Sequence, residues 1–272
     1  MLYSPILSFI RLIILVPWIT IISFFQFLVV CFFKRFFFVF YKLLFFGIRK
    51  IFGIKLKVSG EQEAKRVMFI SNHISYLDII ILGSLVNGVF VAKSEIRDWP
   101  IINKLCKLGK TIFVERENRR SVKKQAVLIK ENMENDLNVI LFPEGTSSDG
   151  SKVLSFKSSL FEVVDYEELR NCKLQPISIS YNKLDGLPLV KIHRPLLAWF
   201  GAMNLAPHVW KFLGLGTSEV NIRFHKSEKF STFSDRKEAC TYCFERISKQ
   251  VIKDYQLLEV DNKIKLNEFK FL

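Results

Sequence analysis

The sequence predicts an α/β fold with a central, largely parallel sheet flanked by helices, preceded by an N-terminal membrane-embedded helical segment. Three observations predict it. From residue 56 onward, short apolar runs alternate with amphipathic segments, a pattern typical of strands connected by helices. The 272 residues, half of them apolar, supply enough material for one large domain and its core. The first 60 residues hold 13 of the 27 phenylalanines and no acidic residue.

The net charge of +14 is concentrated beside this apolar segment. Eight basic residues fall within the first 60 positions, so the remaining chain carries only +6. Basic residues that adjoin an apolar segment favour an anionic membrane surface over a nucleic acid, and no nucleic-acid-binding motif is present. Five cysteines in 272 residues exclude a disulfide scaffold and fit a reducing compartment.

The N-terminal segment predicts a membrane anchor over residues 1–55. Residues 12–33 carry no charge, and a helix of that length measures about 33 Å, enough to cross a bilayer. Pro17 is expected to kink this helix or to mark its first turns. Residues 36–54 are apolar but interrupted by basic residues such as Lys42, which is typical of a helix lying in the interface. A two-helix hairpin embedded in one leaflet is the alternative.

The distribution of basic residues predicts the orientation of the anchor. Only Arg11 precedes the charge-free run, whereas seven basic residues follow it within the first 60 positions. The positive-inside rule then places everything after residue 34 on the cytoplasmic side. The run also exceeds the roughly 7–15 residues of a signal-peptide core, so we expect the segment to be retained.

The rest of the chain predicts alternating strands and helices. Residues 56–258 are assigned to one domain, and residues 259–272 to a weakly structured tail. Apolar runs that match buried strands lie at 67–71, 89–92, 111–114, 139–142, 174–181 and 220–224. Helical patterns lie at 77–85, 101–108, 121–133, and from a cap at Ser234 to about Tyr255.

The first candidate for chemistry is the segment from Asn72 to Asp78, which directly follows a predicted strand. Sites of α/β sheets usually lie at such carboxyl ends. If a helix begins near Ser75, then Asp78 in its first turn can reach back to His73, hold one imidazole nitrogen and leave the other as a general base. Ser75-x-x-Asp78 is equally a capping box, which requires no catalysis.

Two further polar segments follow predicted strands. Residues 142–148 read Phe-Pro-Glu-Gly-Thr-Ser-Ser; this turn could hold a phosphate or a substrate hydroxyl, or simply end its strand. Arg116 follows the strand at 111–114, where an arginine can bind phosphate bidentately. The alternative for Arg116 is a solvated basic patch, because further basic residues follow it.

Taken together, these segments resemble the glycerolipid acyltransferase family over roughly residues 55–225. His73-x4-Asp78 matches the catalytic HX4D motif of that family. Residues 113–116 match its second block, whose arginine contacts the acceptor phosphate. Residues 142–146 match its third block, and residues 175–177 match the fourth, near the acyl pocket.

The resemblance implies a membrane-bound enzyme that moves a fatty acyl group from acyl-CoA or acyl carrier protein to 1-acyl-sn-glycerol-3-phosphate, giving phosphatidic acid. It implies direct transfer, with His73 as base and Asp78 orienting it, and requires no metal or cofactor, because the thioester is a substrate. Substrate binding is expected from Arg116, Glu144, Gly145, Thr146 and Lys157.

One departure concerns the acceptor. The third block of the family usually continues with arginine, and here residue 147 is serine. Lys152 or Lys157 could supply the missing charge. Some relatives with serine or threonine at this position are similar to lyso-ornithine lipid acyltransferases, so lyso-ornithine lipid is the alternative acceptor.

Other functions, and other functional roles for the cysteines and histidines, are disfavoured. A lipid hydrolase would use His73 on water, but no GxSxG nucleophile elbow is present; a lipid-binding protein without activity would not need this motif. Cys240-x-x-Cys243 lacks a second pair of ligands for zinc. Ordinary structural roles are expected for His193, His208 and His225.

Overall fold

The computed structural model describes residues 3–114 and 119–268, with side chains at 3–114 and 126–258. The helices are α1 (Pro5–Phe32), α2 (Phe37–Ile51), α3 (Tyr76–Leu85), α4 (Pro100–Leu108), α5 (Arg119–Glu134), α6 (Leu205–Leu213) and α7 (Arg236–Glu268). The strands are β1 (Ile54–Ser59), β2 (Val67–Ser71), β3 (Gly88–Lys93), β4 (Ile112–Val114), β5 (Asn138–Leu141), β6 (Lys173–Leu184), β7 (Leu187–Pro188), β8 (Ser218–Phe224) and β9 (Glu228–Lys229).

In the described part of the chain, the strands form one mixed sheet with the order β1-β8-β6-β2-β5-β3-β4. The pairs from β6 through β2, β5 and β3 to β4 are parallel, as is the pair of β1 with β8. β8 and the short β7 and β9 pair with β6 in the antiparallel sense. The predicted α/β fold with a largely parallel sheet is confirmed.

Helices cover both faces of this sheet because successive strand residues point to opposite sides. Phe69 of β2 faces a core shared with α1, α2, α3 and α6. Its neighbours Met68 and Ile70 face a second core shared with α5 and α7. All three are completely buried, so the central strand is apolar on both faces, as parallel sheets require.

The first two helices form an antiparallel hairpin. A short 3-10 turn joins α1 to α2, Phe25 stacks on Phe40 with ring centroids 5.6 Å apart, and the Trp18 indole N–H donates to the Leu44 carbonyl at 3.2 Å. Gly47 permits this approach, since a Cβ there would lie 2.0 Å from the Trp18 ring. Within the described residues, α1 alone is long and apolar enough to cross a membrane.

Contacts near both ends of α1 attach it to the α/β layer. The Arg11 guanidinium donates to the carbonyls of Leu213 at 3.0 Å, Leu215 at 2.6 Å and Gly216 at 3.2 Å. Leu213 is the last residue of α6, and Leu215 and Gly216 follow it, in a region where carbonyls lack helical partners. Fifteen residues further along α1, the Gln26 amide donates to the Leu108 carbonyl at 3.4 Å. The helix therefore lies along the domain instead of projecting from it.

Several boundaries differ from the sequence-based prediction. α1 begins at Pro5 because the Ser4 hydroxyl accepts from the Leu7 N–H, and Pro17 lies well inside the helix, beyond its first turns. α7 continues to Glu268 instead of ending near Tyr255, since no glycine or proline interrupts it. β1 and α6 were not predicted: alternating lysines and an early proline weakened their apolar patterns.

We predict that Arg11→Leu lowers the melting temperature of the detergent-purified protein. The substitution leaves three carbonyls without their donor, and an unsatisfied buried acceptor costs roughly 1–3 kcal/mol. Thermal unfolding measures the effect, with Arg35→Leu, an exposed arginine in the turn between α1 and α2, as the matched control. An equal shift in both variants would contradict this docking role of Arg11.

Candidate active site

The candidate site begins where β2 ends. Asn72, the next residue, uses its side chain to extend the pairing with β6: its amide nitrogen donates to the Ile179 carbonyl at 2.9 Å, and its amide oxygen accepts from the Ile179 N–H at 2.9 Å. His73 follows, and α3 starts three residues later. The histidine is therefore held between a fixed strand end and a helix N-terminus.

His73 and Asp78 are brought together as the motif spacing predicts. The imidazole Nδ1 donates to Asp78 Oδ2 at 2.8 Å. The Asp78 side chain is fully buried, and that of His73 is 17% exposed. The His73 ring stacks on Phe142, with centroids 4.2 Å apart. Its other nitrogen, Nε2, has no hydrogen-bond partner among the described residues, so it is available to a substrate.

Asp78 also caps α3, so the same carboxylate both holds the His73 imidazole and caps the helix. Its Oδ2 accepts from the N–H groups of Ile74 at 2.6 Å and Ser75 at 2.9 Å. A carboxylate in this position is favoured by the helix dipole. The capping bonds fix the carboxylate and thereby fix the imidazole that it holds.

Tyr181 of β6 completes the environment of this carboxylate, and sequence reasoning missed it. Its hydroxyl donates to Asp78 Oδ1 at 2.7 Å. Burial, with Asp78 as neighbour, raises the pKa of the Tyr181 phenol well above its usual value, so it remains a donor. The available signal was strand parity: Tyr181 shares the inward face of β6 with Ile177 and Ile179.

The segment after β5 forms hydrogen bonds with the backbone of His73. Glu144 Oε1 accepts from the His73 N–H at 2.8 Å, and Oε2 accepts from the Leu154 N–H at 3.0 Å. The Ser148 N–H donates to the His73 carbonyl at 3.0 Å. Both oxygens of Glu144 are thus occupied by backbone donors, which favours a bracing role. Burial raises the pKa of Glu144 to about 8, against the opposing effect of these two donors.

A cavity of about 390 Å³ opens beside His73. Its wall is mainly apolar and aromatic, and Trp99 and Trp199 meet there edge to face at 6.4 Å. The polar side chains on the wall include Thr146 and Ser147 from the loop after β5. The remaining lining residues are Tyr76, Ile79, Phe90, Val91, Ala92, Lys93, Glu95, Ile96, Ile102, Phe142, Gly145, Gly201 and Leu205.

The predicted substrate-binding residues differ in their placement. Gly145, with φ of 76°, and Thr146 line the cavity. Lys157 is exposed and does not line it; its backbone N–H donates to the Pro143 carbonyl at 3.0 Å. Arg116 lies outside the described residues. The binding roles of these residues stay predictions.

The residues set aside in the sequence lie elsewhere. His208 bonds to Tyr76 at 3.3 Å, and His225 bonds to Ser178 at 2.6 Å; neither lines the cavity. Cys240 and Cys243 belong to α7 and are buried in the core that this helix covers. Within the described residues, no three His, Cys, Asp or Glu side chains group as metal ligands.

Comparison with known proteins places this site in a family. A sequence model described as Acyltransferase matches residues 55–180. A lyso-ornithine lipid O-acyltransferase of Rhizobium meliloti is 36% identical over 206 residues, which cover 74% of this chain and 70% of that protein. A 1-acyl-sn-glycerol-3-phosphate acyltransferase of Neisseria gonorrhoeae is 31% identical over 173 residues, covering 63% and 64%.

The fold is also shared with a solved structure. The 1-acyl-sn-glycerophosphate acyltransferase PlsC from Thermotoga maritima superposes with a TM-score of 0.66, covering 91% of this chain and 94% of that one at 22% identity. The structural likeness shows the fold, and the sequence likeness shows the family. The chain therefore belongs to the acyltransferase family and, within it, to the lysolipid acyltransferases.

Proposed function

We propose that this protein transfers a fatty acyl group from a thioester donor to the free hydroxyl of lyso-ornithine lipid. The observation that carries the proposal is the His73–Asp78 pair at the wall of a largely apolar cavity, with an Nε2 that has no hydrogen-bond partner among the described residues. Such a cavity accepts a lipid chain, and such a nitrogen accepts the proton of an attacking hydroxyl.

The chemistry follows from the fixed tautomer of His73. Because Nδ1 donates to Asp78, Nε2 is the acceptor and takes the proton of the acceptor hydroxyl as its oxygen attacks the thioester carbonyl. The buried carboxylate stabilises the imidazolium that forms. When the tetrahedral intermediate collapses, the C–S bond breaks and the leaving sulfur takes the proton from Nε2. The products are the ester and a thiol. The donor is acyl-CoA or acyl carrier protein, and the proposal requires no metal or cofactor.

The acceptor assignment rests on relatives and on residue 147. Proteins named lyso-ornithine lipid O-acyltransferase from Rhizobium meliloti and Brucella abortus align over 70% or more of the chain. Ser147 adds no cation to the cavity wall. 1-Acyl-sn-glycerol-3-phosphate, the acceptor that the sequence motifs favoured, is the second candidate, supported by the Neisseria relative and by the predicted role of Arg116.

A direct assay separates the two acceptors. The purified protein receives a labelled acyl-CoA together with lyso-ornithine lipid or lysophosphatidic acid, and the labelled products are resolved. We expect diacylated ornithine lipid as the main product. Phosphatidic acid as the main product would instead favour the second candidate.

We further propose that the α1–α2 hairpin lies in the cytoplasmic leaflet. Arg11 and Gln26 bind the domain at points separated by fifteen residues of α1, which is about 22 Å along the helix axis. A helix that crosses a bilayer could not keep both contacts unless the domain entered the membrane. The basic residues after Phe33 then face anionic lipid headgroups.

We predict that His73→Ala reduces the transfer rate by about 10²–10⁴-fold, the usual contribution of a general base. Membrane attachment should be unchanged, because the hairpin and the base are separate features. The measurement is product formation by purified variants together with sedimentation on vesicles. His193→Ala, at a histidine that does not line the cavity, is the matched control. Near-wild-type transfer by His73→Ala would refute the mechanism.

We predict that Tyr181→Phe lowers kcat by roughly tenfold, a typical loss for a hydrogen bond to a charged group. The KM values for donor and acceptor should be unchanged, because Tyr181 contacts Asp78 and does not line the cavity. A lower kcat accompanied by higher KM values would indicate a merely structural role.

We predict that a tag fused before Met1 is digested by protease in inverted vesicles and is protected in intact right-side-out vesicles. A hairpin in the cytoplasmic leaflet leaves the start of α1 on the same side as the domain. A tag fused after Leu272 serves as the control for sidedness. Digestion of the N-terminal tag from the opposite side would establish a spanning helix.

A further inference from the structure

A second cavity, of about 140 Å³, is lined by residues of α7 and of the strands β1, β6 and β8. Two of its lining residues, Leu257 and Leu258, are apolar and belong to α7. The others are polar or charged: Lys57, Asn182, Lys183, Glu219, Asn221 and Asp254. None of these residues lines the cavity beside His73, so this cavity is separate from the candidate active site.

An irregularity in β6 shapes the wall of this second cavity. β6 pairs with β8 residue by residue up to Tyr181, and the register shifts before Lys183. Asn182 lies at the shift and has no Cα partner in β8, while its carbonyl accepts from the Leu189 N–H at 2.7 Å. Bulges of this kind re-aim a side chain and are over-represented next to functional sites. Here the bulged residue is a buried asparagine on the cavity wall.

Two amide oxygens of this wall have no hydrogen-bond donor. Asn182 is only 7% exposed, and its Oδ1 has no partner among the described residues. The Oδ1 atom of Asn221, on the neighbouring strand β8, is also buried and without a partner there. A buried acceptor that lacks a donor destabilises the protein. A ligand that supplies N–H donors would satisfy both oxygens.

A buried carboxylate adds negative charge to the same wall. Asp254 of α7 is 7% exposed and forms no ion pair within the described residues. Its oxygens accept from the Ser180 hydroxyl and from the Gln250 amide, the latter at 2.7 Å. A carboxylate has about four lone-pair sites, so Asp254 can accept further donors. An ammonium group, which carries a positive charge and three N–H donors, complements this carboxylate and the two amide oxygens.

Two lysines give the cavity positive charge as well. Lys57 pairs with Glu219 at 2.8 Å, whereas the half-buried Lys183 has no ion pair within the described residues. These ammonium groups disfavour a bare divalent cation, and Ca²⁺ in addition requires about six to eight oxygen ligands. They favour a ligand that carries an anionic group together with its ammonium group.

We propose that this cavity binds a small zwitterion, a free α-amino acid. Its ammonium group donates to Asp254 and to the amide oxygens of Asn182 and Asn221. Its carboxylate pairs with Lys183. A cavity of about 150 Å³ holds benzene, which has six heavy atoms, and alanine is a zwitterion with the same number of heavy atoms.

The first test compares three matched probes by isothermal titration calorimetry on the full-length protein in detergent. L-alanine carries both charges, ethylamine lacks its carboxylate, and propionate lacks its ammonium group. Alanine should bind with a Kd at least about tenfold lower than either of the others, the value of one charge-assisted bond. Equal binding of the three probes, or no binding of alanine, would overturn the proposal. So would binding of Ca²⁺ in place of alanine.

The second test locates the ligand with variants. Asp254→Asn and Lys183→Met should each raise the Kd for alanine about tenfold, and Lys183→Met should not weaken the binding of ethylamine, which a misfolded protein could not retain. Lys253→Met is the matched control, because Lys253 is an exposed neighbour of Asp254 in α7 and does not line the cavity; it should bind alanine as the wild type does. An unchanged Kd for alanine in both test variants would overturn the proposed site. No thioester or lysolipid is present, so the outcome is independent of the proposed transfer reaction.

Discussion

The buried carboxylate of Asp78 is the group on which the site depends. It accepts hydrogen bonds from the His73 imidazole, the N–H groups of Ile74 and Ser75, and the Tyr181 hydroxyl. Burying a carboxylate is costly unless its oxygens are satisfied, and here helix, turn and sheet each supply a donor. Moving any of these elements would leave the charge unsatisfied. The fold and the orientation of His73 are therefore stabilised by the same set of bonds.

The sheet explains why distant segments meet at this carboxylate. β2, β5 and β6 are parallel neighbours, so the segments at their carboxyl ends lie side by side. β2 leads to His73, β5 leads to the Glu144 loop that holds the His73 backbone, and β6 carries Tyr181 inward. The hairpin of α1 and α2 packs on the same face of the sheet as α3, whose N-terminus holds the dyad of His73 and Asp78. The apolar hairpin and the dyad therefore share one side of the sheet.

Local patterns predicted the parts of this structure that local physics determines. The apolar runs identified β2 and β5 because both faces of these strands are buried, and the spacing of His73 and Asp78 identified the dyad because it fits one helix start. Tyr181 lies 103 residues from Asp78, and only the pairing of β6 with β2 brings it near. Periodicity likewise could not reveal that both oxygens of Glu144 accept hydrogen bonds from backbone N–H groups, since these bonds join segments that are separate in the sequence.

The same geometry separates the dyad from the rest of the cavity wall. Asp78 and Glu144 accept hydrogen bonds from backbone N–H groups, so substituting either of them disturbs the fold at the strand ends as well as the reaction. Thr146 and Ser147 line the same cavity, but the first is exposed and the second is half-buried. Side chains there can change with little effect on the buried dyad. A fold of this kind keeps the dyad fixed while part of the cavity wall remains open to substitution.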